Sequence, residues 1–396
     1  MVVSSSDLAL DLCSDLSWGR LVQSPLEWGI WALLEPMGLQ NHAPQLCWIR
    51  PDLLACVWMA GGGEGTAGMA IQLSLLPQAE GAWTLPQTIS LDGERSEQNP
   101  LLFVSDQALH LVHTAQDVRD AEAAASDQSP FTMQWTAMLR HQRLPLMGID
   151  PAKPETWGAA AWQLQADLLD QPAFCRHPPL RCQDGSWLLP IYRSLEEGGD
   201  FGFDHSLVLP LDRSGRPSGD PVVVPDATGR VHGSLVASDH DQRLLQFFRS
   251  RRADRIYRSV SRDHGASWSA PQPTALPNNN SSIQAVRLTS GRLAMIFNRF
   301  SLHREPVSGP WGEAEWPRSR WPLAIALSED DGESWPWIRS IDHGYGFCGE
   351  ANWQLNGALA YPTILEGLPG ELHIAYSWAG RQAIRYICLL EVDILG

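Results

Sequence analysis

The chain has 396 residues and a formal net charge of −16, a balance that excludes nucleic acid and anionic membrane surfaces as partners because no basic field offsets phosphate repulsion. That length exceeds what one compact core supports unless small repeated units close into a ring, and 18 Trp, 33 Gly and 29 Pro suit many short strands joined by tight turns. The seven Cys are odd in number and show no C-x-x-C spacing, which points to reduced thiols and to no metal or other cofactor.

Residues 1–17 carry Asp7, Asp11 and Asp15, no basic stretch and no long apolar run, so no signal peptide is expected. No later segment is apolar enough to span a bilayer, and the chain reads as soluble and cytoplasmic. Six hairpin patterns follow, each an apolar strand, a turn rich in Asp, Gly or Ser, and an alternating apolar strand; they open at His42, Gln98, His177, His232, Ser282 and Tyr361. Each is trailed by further strand-like sequence. The expectation is an all-β fold, a single domain over residues 1–396 built as a six-bladed β-propeller of four-stranded antiparallel blades.

In blade 4 the strands are predicted over 234–238, 243–250, 255–261 and 268–274, and in blade 5 over 285–288, 293–298, 323–328 and 335–341. Blade 6 has no room for a fourth strand before Gly396, and residues 20–35 are expected to supply it and so remove a free sheet edge. Residues 156–169, rich in Ala, Leu and Gln, read as a helical insertion before blade 3. Residues 302–321, rich in Pro and Trp, and 342–359, rich in Gly and Asn, read as loops over one face.

Two octapeptides share the spacing S-x-D-x-G-x-x-W: Ser261-Arg262-Asp263-His264-Gly265-Ala266-Ser267-Trp268 and Ser328-Glu329-Asp330-Asp331-Gly332-Glu333-Ser334-Trp335. An Asp beside a Gly closes a tight turn, with Gly supplying positive φ, the Ser and Asp oxygens accepting backbone N–H bonds and the Trp covering the turn. Trp83-Thr84-Leu85-Pro86 parallels Trp268-Ser269-Ala270-Pro271 as a worn copy in blade 1. The pattern resembles the Asp-box of the sialidase-type β-propellers, and the chain is similar to a divergent branch of that superfamily. The resemblance implies a scaffold role for the box, on the face opposite the active site.

In a blade that starts at the central tunnel, strand one begins and strand two ends on the same face. Strand-one starts bring His42, Asn99, Arg176, His177, His232, Ser282, Gln284 and Tyr361 there, and strand-two ends bring Arg193, Arg249, Arg251, Asn298 and Arg299. Period-two alternation sets Arg249 and Arg251 on one strand face as an anion clamp. His177 and His232 are candidate general bases. Glu64, in a Gly-rich loop, and Glu350 are candidate carboxylates, Glu64 as a general acid.

The resemblance assigns Tyr361 the role of catalytic nucleophile and places Glu64 near the family's acid/base Asp. It also shows departures. The position of the Glu that activates the Tyr reads Ser282, an Arg of the carboxylate-binding triad falls one residue early at Arg299, and the first triad Arg is replaced in His42-Ala43-Pro44. An unassisted phenol, with a pKa of about 10, is a poor nucleophile at neutral pH. Three readings stay open: a sialidase-like glycoside hydrolase on an acidic sugar, a polysaccharide lyase on a uronate, and a non-catalytic glycan- or protein-binding propeller. All three imply a carbohydrate or protein partner, the first two an acidic carbohydrate.

Overall fold

The computed structural model describes residues 18–23, 29–90, 92–118, 132–194, 203–309, 311–317, 319–344 and 358–396. Six antiparallel sheets are arranged as the blades of a propeller. Blade 1 is Gln40–Arg50, Leu53–Gly61, Ala70–Pro77 and Gln87–Ser90, and blade 2 is Arg95–Ser105, Ala108–Asp117, Met138–Pro145 and Gln163–Leu164. Blade 3 has its first strand in two pieces, Phe174–Cys175 and Leu180–Arg181, followed by Trp187–Arg193, His205–Leu211 and Val222–Val223. Blade 4 is Arg230–Ala237, Leu244–Ser250, Arg255–Ser261 and Gln272–Pro277, and blade 5 is Gln284–Arg287, Leu293–Asn298, Leu323–Ser328 and Trp337–Asp342.

Blade 6 takes Ala360–Glu366, Glu371–Trp378 and Ala383–Leu390 from the end of the chain. Ile30–Leu34, from its start, pairs with Ala383–Leu390 through Ile30↔Cys388 to Leu34↔Ile384, and Val22–Gln23 pairs beyond it. The same segment reaches blade 1, where Leu21 N donates to Gly81 O (3.0 Å) and Trp83 N to Gly19 O (2.9 Å). Sequence-distant strands thus hold the last blade to the first.

The second strand of blade 1 reads as an unbroken apolar run because both of its faces are covered by neighbouring blades. Leu53 to Ala60 are all buried. The cores lie in the seams, as in Leu101, Leu139, Leu189 and Leu209 between blades 2 and 3, or Leu293, Phe297, Ala324 and Phe247 between blades 4 and 5.

Residues 156–169 are not the expected helix. Single 3-10 turns at Pro154–Thr156 and Ala159–Ala161 lead into Gln163–Leu164, the outer strand of blade 2. Pro154 and Gly158 break any helical run, and Trp157 and Trp162 are driven into the core between blades 1 and 2, where the Trp162 indole donates to Trp157 O (3.0 Å).

Both Asp-boxes form the turn between the third and fourth strands. In each, the Gly amide donates to the Ser hydroxyl (2.8 Å for Gly265 and for Gly332), and the second Ser amide donates to the Asp carboxylate (2.9 Å for Ser267, 2.8 Å for Ser334). Gly265 and Gly332 have φ of +92° and +82°, as the turn requires. The worn copy keeps half of the device: Ser74 Oγ donates to Thr84 O (2.7 Å) and Leu75 N to Thr84 Oγ1 (2.9 Å), matching Ser259 with Ser269 O (2.5 Å) and Val260 N with Ser269 Oγ (3.0 Å).

At the opposite end, the first strands of blades 1, 2, 4 and 6 carry a β-bulge, between His42 and Gln45, Gln98 and Leu101, Val231 and Ser234, and Ala360 and Thr363. The bulged residues Ala43, Asn99, His232 and Tyr361 have φ of 53°, 50°, 53° and 53°. Pro44, Pro100 and Pro362 follow three of them and bring no N–H to leave unpaired. A bulge re-aims a side chain, and a non-Gly residue held at positive φ stores about 1–3 kcal/mol of backbone strain. The repeated device turns these positions toward one central place.

Candidate active site

Tyr361 is the centre of that place. Its side chain is 8% exposed, and its hydroxyl accepts a hydrogen bond from Arg249 Nη1 at 2.7 Å. Arg249, on the second strand of blade 4, is held in line by Nε donating to Asn280 Oδ1 (2.7 Å). His42 lies against the phenol ring, centroids 4.2 Å apart, with its Nδ1 2.7 Å from Ser377 Oγ. His232 meets the ring edge-on at 5.3 Å and lies 3.5 Å from Arg249 Nη1. The two imidazoles therefore wall the phenol and leave its oxygen to Arg249.

Charge decides the chemistry. Burial pushes the Tyr361 phenol up, but Arg249, Arg320 and Arg251 outweigh burial and the opposing charge of Glu64, so its pKa lies below the ordinary tyrosine value. Burial first, then the surrounding arginines, hold His42 and His232 well below the ordinary histidine value, and both are neutral at pH 7. Burial lowers the guanidinium of Arg320 to about 10. Arg251 Nε is paired with buried Asp204 at 2.8 Å, and Arg381 Nη1 with Glu64 at 2.6 Å. Among the described residues no carboxylate lies within 4 Å of the Arg249 or Arg320 guanidinium. A chain of net charge −16 thus keeps a cationic pocket, suited to an anionic group.

A covering loop completes it. Trp316, in the segment 302–321, lies 5.2 Å from the Arg249 guanidinium and 5.0 Å from that of Arg251. The loop is fastened by amides: Asn279 Nδ2 donates to Ser319 O (2.8 Å), Asn280 Nδ2 to Glu315 O (2.6 Å) and Asn298 Nδ2 to Arg320 O (2.8 Å). Arg252 binds Val307 O (3.2 Å) and Gly309 O (3.2 Å).

Of the residues singled out from sequence, Tyr361, Arg249, Arg251, His42, His232 and Glu64 converge here. Several others face elsewhere. Arg176 runs beneath the site, donating to Tyr361 O (2.8 Å), Pro44 O (3.1 Å) and Ser282 Oγ (3.3 Å), so it positions the tyrosine backbone and is spent on carbonyls instead of substrate. His177 joins the same support, 3.3 Å from Ser282 Oγ, and does not contact the phenol oxygen. Ser282, standing where the resemblance expects Glu, is the shared anchor of both.

Gln284 Oε1 accepts from Ile364 N (3.1 Å), a bond between blades 5 and 6, and Asn298 Nδ2 holds the carbonyls of Arg320 and Leu359. Arg299 is exposed, and Arg193 donates to Pro172 O (2.9 Å) at the edge of blade 3. Asn99 is buried at the bulge of blade 2. Glu350 lies outside the described residues.

Arg320 and Arg381 were missed. Arg320 sits in the Pro- and Trp-rich loop and Arg381 in the turn after Trp378, and no period or spacing ties either to Tyr361. A cavity of about 660 Å³ lined by Leu188, Leu244, His264 and Gly265 lies on the Asp-box face, away from this constellation.

A family model described as BNR repeat-like domain matches residues 52–374. The chain belongs to that family. Sequence comparison with curated proteins finds no match. Among solved structures, a Hadza microbial sialidase, Hz136, is similar at 12% identity and a TM-score of 0.66, covering 90% of this chain and 67% of its own. A protein of unknown function from Dyadobacter fermentans is similar at 12% identity and a TM-score of 0.65, with 91% and 98% covered. The NanB sialidase of Streptococcus pneumoniae is similar at 11% identity and a TM-score of 0.65, with 99% and 73% covered. At these identities the likeness is one of fold: this BNR-family chain has the six-bladed propeller fold of the sialidases.

Proposed function

We propose that this protein is a glycoside hydrolase acting on a sugar that bears a carboxylate, with Tyr361 as nucleophile. The observation that carries the reading is the Tyr361 hydroxyl at 2.7 Å from Arg249, its phenol lowered in pKa despite burial. A nearby cation substitutes for the missing activating Glu by favouring the phenolate. On this reading Tyr361 Oη attacks the anomeric carbon, Arg249 and Arg320 bind the carboxylate, and Glu64 gives a proton to the leaving oxygen. The same carboxylate then takes a proton from the water that releases the sugar. Glu64 now accepts from Arg381, so the pair must part when substrate binds.

The sialidase-type neighbours support an acidic sugar as substrate class by fold. The test is mass spectrometry of the intact chain with a fluorinated sialic-acid glycosyl fluoride, which slows release of a covalent intermediate. A glycosyl adduct on Tyr361, absent in Tyr361→Phe, is the expected result; turnover of an aryl sialoside with no adduct and no effect of Tyr361→Phe overturns it.

A second reading has its own observation. Among the described residues the Tyr361 hydroxyl has an arginine and no carboxylate as hydrogen-bond partner, and two neutral imidazoles flank it. That set also suits a lyase, in which a phenolate removes the proton beside a uronate carboxylate that Arg249 and Arg320 neutralise. An ultraviolet-absorbing unsaturated uronate released from a polyuronate distinguishes it.

A further inference from the structure

Away from the Tyr361 site, blade 6 brings Glu371, His373 and Cys388 together on one sheet face. Glu371 and His373 are two apart on one strand and so share a face, and His373 is the cross-strand partner of Cys388. Cys388 Sγ is 3.3 Å from Glu371 Oε1, and His373 Nε2 is 3.7 Å from Glu371 Oε2. All three ligand atoms lie within 4.8 Å of one another. Bonds of about 2.0–2.3 Å in a tetrahedral zinc site require ligand separations of about 3.3–3.7 Å, so small side-chain movements close the set.

Three further observations point to a ligand. His373 is 2% exposed, yet its Nε2 has no hydrogen-bond partner. Its Nδ1 is 2.7 Å from the Tyr386 hydroxyl; in the tautomer with the proton on Nδ1, donated to that oxygen, the Nε2 lone pair is free for a metal, as in the usual support of a metal-binding histidine. Glu371 is about a quarter exposed and gives an ion a path from solvent.

We propose that Glu371, His373 and Cys388 bind one zinc-class divalent ion, with water in the fourth position. Imidazole, thiolate and carboxylate together suit zinc and exclude magnesium or calcium, which take oxygen ligands. The thiol proton leaves to solvent as the sulfur–metal bond forms. The ion ties the second and third strands of blade 6 where Cys388 also pairs with the N-terminal strand at Ile30 and where Trp48 of blade 1 meets His373 edge-on at 5.1 Å. It therefore staples the seam at which the ring closes.

The experiment uses the full chain stripped by a chelator. Co²⁺ added as an optical probe is expected to give one equivalent of a thiolate-to-cobalt charge-transfer band, displaced by Zn²⁺. Cys388→Ser abolishes the band and weakens Zn²⁺ binding by about 100-fold, Tyr386→Phe weakens it by about 10-fold, and Cys47→Ser leaves both unchanged. If Cys388→Ser does not fold, alkylation of the wild-type chain mapped by mass spectrometry takes its place: Zn²⁺ protects Cys388 and Mg²⁺ does not. No charge-transfer band from the folded wild-type chain, or no protection of Cys388, overturns the site and leaves the reading of Tyr361 untouched.

Discussion

The two ends of the propeller are built in opposite ways. On the Asp-box end the bonds that define the motif are local: Ser261, Asp263, Gly265 and Ser267 bond within four positions of one another, and Ser328 to Ser334 repeat the set, while Asp331 inside the second box also pairs with Arg243 and Arg287. On the other end Arg249 and Tyr361 are separated by 112 residues, Arg176 and Tyr361 by 185, and Glu64 and Arg381 by 317. Local bonding repeats itself as a motif and does no chemistry. Long-range bonding leaves no motif, but it gathers Arg176, Arg249, Arg251 and Arg320 around one phenol.

The sharpest break of this contrast is Tyr361→Phe, expected to lower turnover by about 10³-fold or more while circular dichroism and the unfolding midpoint hold, since the ring packing against His42 and His232 is kept. Arg249→Lys is expected to cost about 10²–10³-fold in kcat/KM, because the ammonium loses the Nε bond to Asn280 and the planar fork. In Arg249→Gln the loss of the cation favours the neutral phenol, and the limb of the pH–rate profile belonging to Tyr361 moves to higher pH.

Acid sharpens the contrast in stability. His42, His177 and His232 are held neutral in the fold, chiefly by burial, while the unfolded chain protonates below about pH 6.5. Their folded pKa is depressed, so the contribution is present above that pH and is lost as pH falls, by up to about 1.4 kcal/mol per pH unit for each imidazole. Asp263, lowered by the Ser267 hydroxyl, and Asp330, where the Ser334 hydroxyl and amide outweigh burial, lose their contribution only as pH falls below about 4. Urea midpoints are therefore expected to fall between pH 7 and 5, and a triple His→Gln variant that folds is expected to flatten that slope. The smallest effect belongs to Ser328→Ala, about 1–2 kcal/mol of stability from the unpaired Gly332 amide, with kcat unchanged.

Much of the scaffold was readable. The hairpins gave six blades, and the predicted strands of blades 4 and 5 differ from the observed ones by a few residues at their ends. The segment 156–169 failed because Ala and Leu content outweighed Gly158 and two Trp whose burial required an extended path. At the site, Tyr361 and Arg249 were found from their strand ends. Residue type alone could not tell a side chain aimed at ligand from one spent on the frame, as Arg176, Gln284 and Asn298 are.

The sequence by itself determined the blades and their turns, because alternation, Asp–Gly turns and apolar runs act over a few residues and need no partner elsewhere. Tertiary structure decided the rest: which cations face Tyr361, which are neutralised by Asp204 or Glu64, and that Arg320 and Arg381 belong to the site at all. The physical reason is range. Charge acts through space across the tunnel, between residues that only ring closure makes neighbours.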